Sequence, residues 1–235
     1  MQKEGRGRIS NLCDGNKGAR RDVTMSECAT VDDARKDLER KWCDLTTFLP
    51  VPLKEKWWSR LAQSYEGRPF HNFEHLYEML NLFEEYKDKL RERYATAFAI
   101  FFLHAVNDTK ATDNAERSAR LLREFSSETT FDSENYVANL IVESGKNCTD
   151  AHMTEGMFGE EDLHFLLDFD MAFLGSEPSK YDAHCVNIRK EYAHLSDEDY
   201  ADQRLKVLKL FMQIPNIFAT KELRERFETN ARENI

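Results

Sequence analysis

The stretch ATAFAIFFLHA, residues 95–105, decides the fold of this chain. From residue 95 to residue 103 every side chain except Thr96 is apolar, so a helix formed here has no polar face. A helix that is apolar all round is buried, and this stretch is far shorter than the roughly 20 residues that span a bilayer. The stretch therefore predicts a central buried helix that ends at His104.

Amphipathic segments flank this stretch on both sides and indicate a helical domain built around it. In one of them Leu38, Trp42 and Leu45 recur at helical spacing. No segment alternates apolar and polar residues as a half-buried strand does. The sequence predicts a single all-α domain of about nine or ten helices over residues 30–235. The expected helix-boundary residues are Thr30 as an N-cap, Gly67 and Gly175 at helix ends, and Ser196-x-x-Asp199 as a capping-box-like start.

The first 29 residues lack apolar periodicity, which predicts a disordered tail. Residues 1–21 hold six Lys/Arg against Glu4 and Asp14, a net charge of about +4. The whole chain has a net charge of −10, so the remaining residues carry about −14. A basic tail suits an acidic protein partner, and a mitochondrial transit peptide is the alternative for it.

The composition sets limits on function. A net charge of −10 argues against nucleic-acid binding, because phosphate is repelled. The five cysteines are scattered without a CxxC pair, which favours free thiols in a reducing compartment. No apolar stretch reaches membrane-spanning length. We therefore expect no membrane partner and an intracellular, cytoplasmic location, with the mitochondrion as the alternative.

Histidines and aspartates provide the candidate chemistry. His71 and His75 are four residues apart, so both face the same side of a helix and both can reach one metal ion. His104 ends the apolar helix, and a core histidine is the alternative interpretation. Asp168 and Asp170 lie inside an apolar segment, where a carboxylate is costly unless it is paired or binds metal. One of these two acids can instead face solvent, because residues two apart on a helix point in different directions.

At these residues the chain resembles a subfamily of predicted metal-dependent phosphohydrolases in the HD-domain superfamily. The resemblance covers residues 57–234. It is carried by RPFHNFEHLYEML (68–80), AIFFLHA (99–105), DNAERSA (113–119), LDFDMAFLG (167–175), IRKEYAHLSDEDYADQRLKVLKLFMQIPNIFAT (188–220) and FETNAREN (227–234). The resemblance implies an HD-type helical fold and a metal site made of His71, His75, His104 and Asp170, with Asp168 as the other candidate for the aspartate position.

The chain departs from the family pattern at three functional positions. Ala105 follows His104 where the family has the aspartate of its His-Asp pair, Ala115 replaces a glutamate, and Asn147 stands where a histidine is expected. Losing the Asp carboxylate leaves a bound cation poorly neutralised, which predicts metal affinity lower by orders of magnitude. Asp108 and His152 are candidate substitute ligands.

The leading functional hypothesis is therefore a pseudoenzyme that binds a small phosphorylated ligand, such as a nucleotide, or a protein. The alternative is an active metal-dependent phosphohydrolase that uses His71, His75, His104 and Asp170 with substitute ligands. The expected cofactor is a divalent ion such as Mn, Fe or Zn, or none if the site is degraded. Arg68 and Arg189 match family arginines and are candidate phosphate-binding residues, although arginines in helical bundles also tie helix ends.

Overall fold

The computed structural model describes residues 31–235, and within this range every regular element is a helix and none is a strand. The predicted all-α fold class is thereby confirmed. The expectations for residues 1–29 and for Thr30 as an N-cap lie outside the described residues. The helices are α1 (Val31–Leu45), α2 (Val51–Tyr65), α3 (Phe73–Tyr86), α4 (Arg93–Leu103), α5 (Asn114–Ser127), α6 (Glu134–Ser144), α7 (Asp150–Met153), α8 (Asp162–Met171), α9 (Pro178–Glu191), α10 (Asp197–Gln213) and α11 (Lys221–Asn234).

Helix α4 forms the centre of the core, as its composition predicts. Every residue from Ala95 to Leu103 is buried, and the helix packs against α1, α3, α5, α6 and α8. The indole of Trp42 in α1 lies 5.3 to 6.3 Å, between ring centroids, from four phenylalanine rings of α4 and α5. These contacts fix the end of α4, and with it His104, inside the helical body. The four rings are Phe98, Phe101, Phe102 and Phe125.

The boundary residues act at helix ends. Gly67 follows the last turn of α2 with a φ of 73°, a left-handed conformation that glycine adopts without steric cost. The Ser196 side chain accepts a hydrogen bond from the backbone N–H of Asp199 and caps α10. Gly175 ends a short 3₁₀ turn (Ala172–Gly175), where a Cβ atom would lie only 2.6 Å from the Phe227 carbonyl oxygen of α11.

Helix α10 differs from its neighbours because none of its 17 residues is buried. Its apolar side chains Leu205, Val207, Leu210 and Met212 are between 43% and 61% exposed. Helix α10 therefore lies against the body of the domain without contributing to the core. None of the helices in the described range combines the length and the apolar composition needed to cross a membrane.

Candidate metal centre

The first two histidines of the site are placed by the start of α3. The Asn72 side chain caps this helix by accepting hydrogen bonds from the backbone N–H groups of Glu74 and His75. His71 precedes the cap and His75 lies in the first turn, so their rings meet edge to face with centroids 5.5 Å apart. The two imidazoles thus lie together, although His71 precedes the N-cap of α3 and does not share a helix face with His75 as the sequence suggested.

His104 joins them from the end of α4. Its ring centroid is 4.4 Å from that of His71 and 5.7 Å from that of His75. One ring nitrogen from each of the three histidines lies within 4.8 Å of the others. Donor atoms around one transition-metal ion at about 2.1 Å lie up to about 4.2 Å apart, so a small inward movement would close this set on an ion. The cluster could therefore hold a metal ion.

Asp170 completes the cluster from α8. Its Oδ1 atom lies 2.8 Å from His75 Nε2 and 2.7 Å from His104 Nε2. Burial alone would raise the pKa of this carboxyl group, but the two imidazoles hold it well below its usual value. Asp170 is therefore an anion that faces two of the three histidines, and it is the aspartate of the pair that the structure places at the cluster.

Glu191, the last residue of α9, supplies a second carboxylate that the sequence did not single out as part of the site. Its Oε2 atom lies 2.7 Å from His71 Nδ1, and its Oε1 atom accepts the backbone N–H groups of Phe70 and His71. Burial opposes ionisation, yet these hydrogen bonds lower the pKa of Glu191 to about 2. Histidines that bind metals commonly give their other ring nitrogen to such a carboxylate, which fixes the ring orientation.

The imidazole of His71 is held neutral. Burial, followed by repulsion from His104, lowers its pKa to about 4, although Glu191 acts in the opposite direction. A neutral imidazole has a free lone pair, which is the form that binds a metal ion. With Nδ1 directed at Glu191, the Nε2 atom of His71 is the ring nitrogen left for an ion.

Asp168 points to a different part of the fold. It is 1% exposed, and its carboxylate accepts hydrogen bonds from the backbone N–H groups of Ala219 and Thr220 and from the Thr220 hydroxyl. Burial raises its pKa to about 7 despite these three donors. Asp168 holds the start of α11. The two aspartates thus serve two separate buried sites, and neither is the solvent-exposed residue that the sequence left open.

The two candidate substitute ligands also bond away from the three histidines. The Nδ1 atom of His152 accepts the backbone N–H of Thr149 at 3.0 Å in the capping box of α7. Asp108 accepts the backbone N–H of Lys110 and lies 3.7 Å from the Arg117 guanidinium. The group of converging ring nitrogens consists of His71, His75 and His104 and includes neither Asp108 nor His152.

The two candidate phosphate-binding arginines are bonded to helix ends. Arg68 donates to the backbone carbonyls of His104 and Ala105 at the end of α4. Arg189 donates to the Asp197 carboxylate and to the backbone carbonyls of Tyr192 and Leu195, between α9 and α10. This is the helix-tying role that the sequence left open as their alternative.

The three positions where the sequence departs from the HD-type resemblance are Ala105, Ala115 and Asn147. Ala105 is 4% exposed at the end of α4, and Ala115 packs so closely on Gly145 that a Cβ atom there would lie 2.8 Å from the Ala115 Cβ. Asn147 adopts a left-handed φ of 54°, which asparagine tolerates better than most residues. Alanine thus stands at the two positions where the resemblance would imply an acid.

A cavity of about 310 Å³ opens beside the cluster, beneath α10. His71, Asp170 and Asn147 line it on one side, and residues of α9 and α10 together with aromatic rings line the other. This volume falls at the small end of the range of ligand-binding pockets. A second cavity of about 490 Å³ reaches His75 from the side of α3 and α11.

Comparisons with known proteins found no match among family models, curated proteins or solved structures.

Proposed function

We propose that this protein binds one divalent transition-metal ion through His71, His75, His104 and Asp170, and that the ion recruits a small phosphorylated ligand into the adjoining cavity. The observation that carries the proposal is the convergence of three imidazole nitrogens within 4.8 Å, with a carboxylate oxygen touching two of the rings. Imidazole and carboxylate ligands together suit Mn, Fe, Zn and similar ions.

The two carboxylates support the metal part of the proposal. An Ala at position 105 in place of the Asp that the resemblance implies argues for a site too electropositive to retain an ion, and the side chains of Asp108 and His152 bond to other partners. Asp170 and Glu191 nevertheless bring two negative charges to the three histidines. Together they match the charge of a divalent cation, so a retained site agrees better with the local charge than a degraded one.

The cavity supports the ligand part of the proposal. It touches both His71 and Asp170, so open coordination positions of an ion would face it. An ion bound there would supply positive charge to a phosphoryl oxygen and would lower the pKa of a coordinated water. The resemblance to HD-type phosphohydrolases agrees with a phosphorylated ligand, and we propose membership in that superfamily on the quoted motifs.

A second candidate function is hydrolysis of the same ligand. The cavity opens onto the cluster, so a bound ligand would lie beside the metal ion, which favours hydrolysis. The engagement of Glu191 with four donors argues against it, since this carboxylate then has no free oxygen to act as a base. A screen of nucleotides and simple phosphate esters, with and without added Mn²⁺, separates the two candidates: phosphate release dependent on His75 supports hydrolysis, and ligand binding without release supports a binding protein.

Metal analysis of the purified full chain tests the proposal directly. We expect close to one Mn, Fe, Zn or similar ion per chain, and we expect His75→Ala to remove it. The matched control is His194→Ala, because His194 is an exposed histidine on the loop after α9. Wild-type protein that neither carries nor takes up a stoichiometric ion would contradict the proposal.

A further inference from the structure

Helix α10 is held at both ends by arginine hydrogen bonds, and along its length only partly buried side chains such as Phe211 pack against the domain. At its start Arg189 bonds to Asp197, and at its far end Arg232 donates to the backbone carbonyls of Ile214 and Pro215. Between these anchors no residue of the helix is buried. Protein interiors are normally close-packed, so the cavity beneath α10 is a space that the side chains of residues 31–235 leave unfilled.

Arg204 lies on the inner side of α10 and lines this cavity. Its Nη2 atom is buried and has no hydrogen-bond partner within residues 31–235. The guanidinium hydrogen-bonds the Tyr181 hydroxyl through another of its nitrogens, and no carboxylate of residues 31–235 forms an ion pair with it. A buried guanidinium N–H without an acceptor is costly, so an acceptor placed in the cavity would stabilise Arg204.

Other cationic side chains near the site already form ion pairs with acids. Arg189 is bonded to Asp197, and Arg226, which lines the second cavity, is bonded to Glu85. Lys180, also in the second cavity, pairs with Glu78. Of these four cations only Arg204 forms no ion pair with a carboxylate, although Asp170 lines the same cavity.

The remaining lining of the cavity beneath α10 is largely aromatic. Tyr192 and Tyr200 have ring centroids 5.9 Å apart, and three phenylalanines complete the wall: Phe70, Phe173 and Phe211. Aromatic walls favour a planar ring, and a guanidinium favours a phosphate or carboxylate, which it can bond with two parallel N–H groups.

We propose that Arg204 is the anion-binding residue of this cavity and that the ligand is a small phosphate ester of a planar ring, covered by α10. This inference rests on the proposed metal-dependent recruitment of a phosphorylated ligand and specifies the ligand's chemistry. Arg204 contacts the ligand and takes no part in holding the metal ion.

Phenyl phosphate is the probe, titrated calorimetrically into the full chain after EDTA treatment and again after Mn²⁺ reconstitution. We expect saturable binding by the wild type and about 10- to 100-fold weaker binding by Arg204→Leu, the range that corresponds to a hydrogen bond to a charged group. The matched control is Lys206→Leu, which removes an equal charge from an exposed position on the same helix and is expected to change binding less than twofold.

Two further probes test the ligand class. Inorganic phosphate lacks the ring and benzoate lacks the phosphate, so each is expected to bind at least tenfold more weakly than phenyl phosphate. Benzoate binding as tightly as phenyl phosphate would overturn the phosphate assignment. Equal affinity of the wild type and Arg204→Leu for phenyl phosphate, or no saturable binding to the wild type in either metal state, would overturn the role of Arg204.

Arg204→Lys guards against a folding defect in the leucine variant, and thermal unfolding is measured for both. Lysine keeps the charge without the planar fork, so intermediate affinity is expected. If Arg204→Lys and Arg204→Leu both fold and both bind phenyl phosphate as tightly as the wild type, Arg204 is not the anion-binding residue. Arg204-dependent binding in a chain that takes up no metal would contradict the proposed function alone, and metal uptake without Arg204 dependence would contradict this inference alone.

Discussion

The carboxylate of Glu191 lies 2.7 Å from His71 Nδ1, across 120 residues of sequence, and so links the end of α9 to the start of α3. The same carboxylate accepts the backbone N–H of His71, which fixes both the ring and the chain that carries it. The orientation of the first histidine of the cluster therefore depends on α9, a helix that contributes no ligand of its own.

Glu191→Gln is expected to weaken metal binding by about 10- to 100-fold without unfolding the protein, because the amide removes the negative charge beside His71 and keeps an acceptor for the backbone. Competition against a chromophoric chelator measures the Kd. Glu198→Gln on the exposed first turn of α10 is the control. A Kd for Glu191→Gln equal to that of the wild type would show that the contact does not serve the metal.

Substitutions of Asp168 and Asp170 are expected to have different effects on stability and metal binding, because the two carboxylates bond to different partners. Asp168→Asn should lower the free energy of unfolding by about 3 kcal/mol, since it disrupts hydrogen bonds to a buried charged group, and should leave metal stoichiometry unchanged. Asp170→Asn should abolish metal retention and cost little stability. Urea unfolding and metal analysis of both variants check this, and metal loss in Asp168→Asn with full retention in Asp170→Asn would reverse the assignment.

His152 predicts a pH dependence of stability. Burial, with repulsion from His164 and Arg224, lowers its pKa to about 4, below the value near 6.5 of an exposed histidine. The unfolded chain therefore takes up a proton first as the pH falls, and the stability contribution of neutral His152 is lost between about pH 6.5 and pH 4. In this window the slope from His152 is at most about 1.4 kcal/mol per pH unit.

His152→Gln removes this titration and should flatten the pH dependence of the urea-unfolding free energy between pH 4 and pH 6.5, relative to the wild type. His194→Gln, at an exposed position, should leave the slope unchanged. Wild-type and His152→Gln proteins with the same slope would refute the role of His152.

Ala105→Asp tests whether the cluster has kept the geometry of the family pattern. In metal-free protein the variant should be less stable, because it buries a carboxylate at a position that is 4% exposed. With Mn²⁺ present the added carboxylate should raise metal affinity at least tenfold. Ala105→Asn is the control, because asparagine has nearly the size of aspartate and carries no charge. No gain in Ala105→Asp, even with Asn147→His added, would mean that this position no longer reaches the ion.

The fold was predictable where composition alone determined burial. An apolar stretch such as residues 95–103 has to be buried, and the amphipathic helical segments on both sides favoured a helix for it. Helix α7 was not predicted, because its four residues give no periodicity to read. The exposure of α10 was also not predictable, since Leu205, Val207 and Leu210 resemble core residues in sequence.

The site was predictable only in part. The sequence expected His71 and His75 on one helix face, whereas the turn before α3 places His71 beside His75; a spacing of two could not tell which of Asp168 and Asp170 faces the cluster. The role of Glu191 depends on a tertiary contact, and no local pattern marks it. Arg204 was visible only as one arginine among several, and its unpaired state depends on which acids the fold brings near.

The most direct test of the central claim is a crystal structure of the full chain soaked in Mn²⁺, recorded with anomalous scattering. The account predicts one strong anomalous peak, about 2.0 to 2.3 Å from His71 Nε2, His75 Nε2, His104 Nε2 and an Asp170 carboxylate oxygen. Direct His75–Asp170 and His104–Asp170 hydrogen bonds that persist in the soaked crystal, with no peak between these residues, would contradict it.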